Sequence, residues 1–511
     1  MDTAVQDDTI VKTKVGSVKG SRVGGCYRWL GIPYGKPPVG DLRFRKTQPH
    51  EGWEGVREAL DFGPRPPQPQ QPIGPVEDRP ISEDCLHINV WSPAPDGKKR
   101  PVLVHIYGGA FTMGAASQES YDLSVLAGKG DIVGVSFNYR VGVFGFMDFS
   151  QMSGAGGRFD TNCGMWDQIE ALKWIRDNIE AFGGDPEEVT LIGQSAGGSS
   201  VLCLMAAPQA KGLFKRAISE NAVANCAYTQ KSAKINALGM LGLIGVDESD
   251  VQKLCDMPME SFLPAAGEMF DSHAREVRPY GWAMGPVVDN ELLADTAIEC
   301  ITGGSAAGVP LLIGDCHDEA SMFVSFRGKR MSPLPNKKEL VEKFFELNPS
   351  IDKEKFLALY PDYPSNASLV KIAADLSFHI HNVYVADGQS KHAPVFAFRF
   401  DYAPPVAKIM KLGACHCAQM AYVYGNFGGA MAMLGLMAKK QQGILSGRMM
   451  AMWLNFIKHG DPNGGSAEGW PAYDTEDRAT YIFNKTDSVE NDPSREIREG
   501  LEGVRQYVAD Y

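Results

Sequence analysis

Short apolar, β-rich runs recur along the chain: Val102-Leu-Val-His-Ile106, Ile132-Val-Gly-Val-Ser-Phe137, Val189-Thr-Leu-Ile192, Val309-Pro-Leu-Leu-Ile313 and Val395-Phe-Ala-Phe-Arg-Phe400. Several do not alternate apolar with polar residues, which is the pattern of strands buried on both faces. Helical spacing appears between them. Over 166–182 the positions Ile169, Leu172, Ile175, Ile179 and Phe182 share one helical face, and Gly183-Gly184 ends the pattern. Strand and helix in alternation predict an α/β fold, a large and mostly parallel central sheet with helices on both faces. Ligands of such sheets sit beyond the carboxyl ends of the strands. Two stretches, about 225–300 and 320–390, read as largely helical insertions above that end, where a lid or substrate pocket is built. Segment 63–84 is rich in Pro and Gln, has no aromatic residue and reads as a long loop. No linker or internal repeat divides the chain, so one domain spanning 1–511 is expected.

Composition narrows the function. With 44% hydrophobic and 22% charged residues the chain can bury a large core. A net charge of −12 without a long Lys/Arg run argues against nucleic acid as a partner. The first ten residues are polar and acidic, without the basic and apolar regions of a signal peptide. The longest apolar run, 427–438, is too short to span a bilayer, so no transmembrane anchor is expected. The ten cysteines have no regular spacing and imply no disulfide framework.

Gly193-Gln194-Ser195-Ala196-Gly197 lies between a strand pattern, Glu188-Val-Thr-Leu-Ile192, and a helical one, Ser199-Ser-Val-Leu-Cys-Leu-Met205. In that setting G-x-S-x-G is a nucleophile elbow, a turn so tight that it needs small residues on both sides of the serine. The helix N-terminus behind it favours negative charge. A serine nucleophile needs a base, and the base an orienting acid. Among the downstream residues, Asp315, Asp318 and Glu319 are candidate acids, and His416 is a candidate base beside the plausible decoys His317, His379 and His381. Cys415-His416-Cys417 has no second ligand cluster at metal-binding spacing, so neither a metal nor a cofactor is expected.

Gly31-Ile-Pro-Tyr34, Leu42-Arg-Phe44, Ser82-Glu-Asp-Cys-Leu86, Tyr107-Gly-Gly-Ala-Phe111, Asn138-Tyr-Arg140, Asp167-Gln168, Phe182-Gly-Gly-Asp-Pro186 and Gly460-Asp-Pro-Asn463 occur in order around the elbow. With them the chain resembles the type-B carboxylesterase/lipase family of the α/β-hydrolase fold over nearly its whole length. The resemblance implies a serine carboxylesterase acting through an acyl-enzyme. Ser195 takes the nucleophile's place, Glu319 (within Asp318-Glu-Ala-Ser321) the acid's and His416 (ending Gly413-Ala-Cys-His416) the base's. The oxyanion donors become the N–H groups of Gly109, Ala110 and Ala196. Gly108, Phe111 and Gln194 fall beside them at substrate-binding positions. Arg43 and Glu83 are implied to form a buried ion pair.

The chain also departs from the family's pattern. Ala110 replaces a third glycine. Asn221 stands where a supporting serine is usual. The regions expected to pair Cys85 and Cys255 hold no cysteine, which with the N-terminus favours a reducing, cytoplasmic location. Choline recognition uses aromatic faces, and segment 63–84 has none, while Gln194 replaces the glutamate of cholinesterases. The expected partner is a small, hydrophobic ester. Met431, Met433 and Met437 offer an adaptable apolar surface for one. The alternatives are acyl transfer or lactone chemistry on the same triad, and a non-catalytic binding role.

Overall fold

The computed structural model describes residues 8–69, 78–275, 284–325, 337–428, 437–465 and 468–501. Met431 and Met433 lie outside the described residues, and Met437 is exposed. The central element is an eleven-stranded sheet. Its parallel part runs, in spatial order, through Val133–Phe137, Arg100–Ile106, Gly184–Gln194, Arg216–Glu220, Leu311–Cys316, Val395–Phe400 and Ala479–Phe483. Antiparallel strands close both sides: Ser488–Asn491 on one, and His87–Ser92, Cys26–Pro33 and Ser21–Val23 on the other. This is the mostly parallel α/β sheet that the apolar runs predict.

The parallel strands are buried along nearly their whole length, which accounts for their missing alternation. The strand predicted from Val309 begins at Leu311, because Pro310 has no N–H for the ladder. The helix predicted over 166–182 is α-helical at Cys163–Asn178 and tightens to a 3₁₀ turn at Ile179–Phe182. Gly183, at φ 85°, caps it.

The described residues of the stretches 225–300 and 320–390 are largely helical. The first holds Gln230–Ile244, Phe262–Arg275 and Ala297–Thr302. The second holds Ser321–Ser325, Lys338–Leu347, Lys353–Leu357, Asn366–Ala374 and Ile380–Gln389, the last two joined by a π-helical turn, Asp375–His379. It carries its own small core, including Val341, Phe344, Phe356 and Ile372.

Buried ion pairs tie together segments distant in sequence. Arg43 Nε lies 2.6 Å from Glu83 Oε2, as the resemblance implies, and Arg43 Nη1 donates to the carbonyls of Leu254, Cys255 and Met257. Arg140 meets both oxygens of Asp167 at 2.8 Å, with both residues buried. Removing one partner leaves an uncompensated charge in the core. Asp167→Ala is therefore expected to destabilise the protein by about 3–5 kcal/mol in denaturant unfolding; a loss below about 1 kcal/mol would show that the pair behaves as a surface contact.

Candidate active site

Ser195 joins the strand Gly184–Gln194 to the helix Ala196–Ala206. Its backbone stands at φ 59°, ψ −127°, a region that L-residues rarely adopt. The turn requires its glycines: a Cβ on Gly193 would strike the carbonyl of Gly197, and one on Gly197 the carbonyl of Ile106. The Ser195 N–H donates to the Glu220 carbonyl at 2.9 Å. Its hydroxyl has no hydrogen-bond partner among the described residues.

The acid and base candidates are sorted by their partners. Asp315 receives His379 Nδ1 at 3.0 Å. Asp318 accepts the Ala414 N–H at 2.8 Å and returns its own N–H to the Ala414 carbonyl at 2.9 Å. It thereby ties the loop after Leu311–Cys316 to the loop that carries His416. Gly413 sits there at φ 62°, where a Cβ would collide with the Asp318 carboxylate. His317 lies against Asp318, and His381 against the Leu376 carbonyl. Glu319 and His416 are the pair that meet: Glu319 Oε2 contacts Nδ1 of the imidazole.

Glu319 is fully buried, and its other oxygen is held twice. Oε1 accepts the Cys316 N–H at 2.7 Å and the side-chain amide of Asn221. Asn221 thus holds the Glu319 carboxylate in place. The imidazole of His416 packs against the rings of Phe323 and Phe378, with centroids at 5.2 and 5.1 Å, and those two rings stack on each other at 6.4 Å. Both rings come from the second insertion. Burial disfavours the imidazolium, but the Cys417 sulfur and the Glu319 carboxylate outweigh it and hold the pKa of His416 above its ordinary 6.5. The remaining ring nitrogen, Nε2, lies 3.1 Å from the amide nitrogen of Gln194.

The turn after Arg100–Ile106 lies against the elbow. A Cβ on Gly108 would stand 2.9 Å from Ser195 Cβ and closer still to the Gln194 carbonyl. Gly109 (φ 124°) and Ala110 (φ 55°) carry the chain through positive φ, and the N–H groups of Thr112 and Met113 close the turn on the Gly109 carbonyl at 3.0 Å. Phe111 does not join this group: its ring is buried against Phe146 at 4.7 Å, as part of the core.

Sequence reasoning missed a layer beneath. Buried Glu220 accepts from Trp453 Nε1 at 2.9 Å and from Gln419 Nε2 at 3.2 Å, and Gln419 also donates to Asn221 Oδ1. Burial raises the Glu220 carboxyl to about 7 against these two donors. The available signal was a carboxylate ending the apolar strand pattern Ala217-Ile-Ser-Glu220. Cys415 is buried, Cys417 is half-buried at φ 70°, and all ten cysteines are free. Among the described residues no group of three or more ligating side chains is placed to hold a metal.

A parallel sheet with a serine on a strand-to-helix elbow, and an acid and an imidazole on the loops of later strands, defines an α/β hydrolase. The sequence matches the carboxylesterase family over residues 7–498, and the chain belongs to that family. It is 37% identical to the para-nitrobenzyl esterase of Bacillus subtilis over 96% of this chain and 98% of that one. It is 32% identical to the phenmedipham hydrolase of Pseudarthrobacter oxydans over 93% and 94%. A solved carboxylesterase of Geobacillus stearothermophilus superposes with a TM-score of 0.86 at 35% identity, covering 97% of this chain and all of the other. The protein is a serine carboxylesterase, a carboxylic ester hydrolase.

Proposed function

We propose that Ser195, His416 and Glu319 carry out the hydrolysis. The contact between Glu319 and His416 Nδ1, with Ser195 at the carboxyl end of another strand of the same parallel sheet, carries this reading. His416 Nε2 takes the proton of Ser195 Oγ as that oxygen attacks the ester carbonyl. Glu319 holds the Nδ1–H tautomer and stabilises the cation that forms. The N–H groups of Gly109, Ala110 and Ala196 receive the oxyanion, with Gly108 keeping the turn close to the elbow. His416 returns the proton to the leaving alcohol, then takes one from water, whose oxygen attacks the acyl-enzyme and releases the acid.

Phe323 and Phe378 give the base an apolar surround, which supports a small hydrophobic ester as substrate. Ten free cysteines support a reducing compartment such as the cytoplasm. Among the described residues no helix is long and apolar enough to cross a membrane. The chain works as one domain whose helical insertions shape the site.

Purified protein turning over p-nitrophenyl butyrate in water with added methanol tests the reaction type. Butyric acid is expected as the main product. Methyl butyrate in excess over the acid would make the protein an acyltransferase instead.

The base also sets the pH profile. His416 accepts a proton only when neutral, and its pKa is raised. Activity is therefore lost as pH falls through that raised value. The acid limb of kcat/KM is expected above pH 6.5, and a limb below pH 6 would contradict the assignment of His416.

A further inference from the structure

The partner of His416 Nε2 in the resting protein is Gln194, at 3.1 Å. Nδ1 faces the Glu319 carboxylate and carries the ring proton, so in the neutral ring, the form that acts as base, Nε2 presents a lone pair. Only the amide's N–H₂ end can satisfy that lone pair, which fixes how the Gln194 side chain is turned. Its position is constrained. Gln194 is the last residue of its strand, in register with Glu220, and is 2% exposed. Its Oε1 lies 3.2 Å from the point where a Cβ on Gly108 would stand. The Ser195 hydroxyl, meanwhile, has no hydrogen-bond partner among the described residues.

We propose that Gln194 is a positioning residue that latches the base: its amide occupies the Nε2 lone pair in the resting enzyme and must be displaced before Ser195 is activated. The inference rests on the assignment of Ser195 and His416 made above. In the transition state for attack, Nε2 carries the proton and directs it at Ser195 Oγ. An amide nitrogen facing that N–H is a donor opposite a donor. Its hydrogen bond therefore stabilises the ground state and not the transition state, and raises the barrier. A glutamate at this position would do the reverse, since a carboxylate only accepts and favours the imidazolium.

The test is the rate at which a fluorophosphonate modifies the full-length protein, with the adduct mapped by mass spectrometry. Gln194→Met removes the donor at similar volume, and its labelling is expected to be about three- to tenfold faster than wild type, the worth of one hydrogen bond. Gln194→Glu keeps the shape, and the acid limb of its labelling rate is expected to move up by about one pH unit or more. Labelling of the methionine variant at or below the wild-type rate, as when the amide simply turns to follow the proton, overturns the latch. So does an unmoved acid limb in the glutamate variant, which answers the question even if the methionine variant does not fold. A wild-type protein labelled elsewhere than Ser195 would instead refute the serine assignment.

Discussion

Ser195→Ala is expected to lower kcat for p-nitrophenyl esters by about a millionfold, the loss seen when the nucleophile of such a triad is removed. The residual rate reports substrate binding and the main-chain N–H cradle, which the substitution leaves in place. Folding should be unaffected. The hydroxyl bonds to nothing among the described residues, and alanine bears the same backbone strain as serine, so a stability change below about 1 kcal/mol is expected. Ser195→Gly separates strain from chemistry. Glycine tolerates φ 59°, ψ −127°, so this variant should be as inactive as the alanine one yet more stable by about 1 kcal/mol or more. Thermal unfolding with initial rates on all three proteins reads both effects. Near-wild-type hydrolysis in either variant would remove Ser195 from the mechanism.

Glu319→Gln should cost about four orders of magnitude in kcat while the fold persists. Hydrogen bonding dictates the reason. Oε1 already accepts the N–H of Cys316 and the amide of Asn221, so a glutamine must keep its oxygen there. Its NH₂ group then faces His416 Nδ1, which must become an acceptor. The ring proton moves to Nε2, and the base loses the lone pair that Ser195 needs. The loss should fall on kcat far more than on KM, because the acid does not touch substrate. The acid limb of kcat/KM should also fall, since the carboxylate that helps hold the His416 pKa up is gone. A glutamine variant within tenfold of wild type would show that Glu319 does not select the tautomer.

Much of this arrangement is legible in the chain. The elbow is local, a five-residue turn between a strand and a helix, so its glycines announce it. The central strands are legible because burial on both faces leaves apolar runs, and their ends are marked by Pro310 and Gly183. The acid is less so. Asp315, Asp318 and Glu319 look alike in sequence and part company only in space, where Asp315 meets His379 and Asp318 clamps Ala414. The family resemblance, not the local pattern, selected Glu319 and His416. The Glu220–Gln419–Asn221 layer left only the carboxylate at the end of Arg216–Glu220 as a signal, because Gln419 reaches it from about 200 residues further along the chain. Phe111 shows the opposite limit. Its place beside the oxyanion turn suggested a substrate contact, but positive φ at Ala110 and Phe111 turns the ring into the core. The contact of Gln194 with His416 depends on a rotamer packed against Gly108, which no sequence spacing encodes.

Ser195 and His416 are assigned to a single proton relay, and the rate constants of Ser195→Ala, His416→Ala and the double variant test that directly. The relay requires the double variant to be no slower than either single one, because removing one member already disables the other. Losses that multiply, or a His416→Ala protein that keeps most of its activity, would mean that the two side chains do not act as a unit.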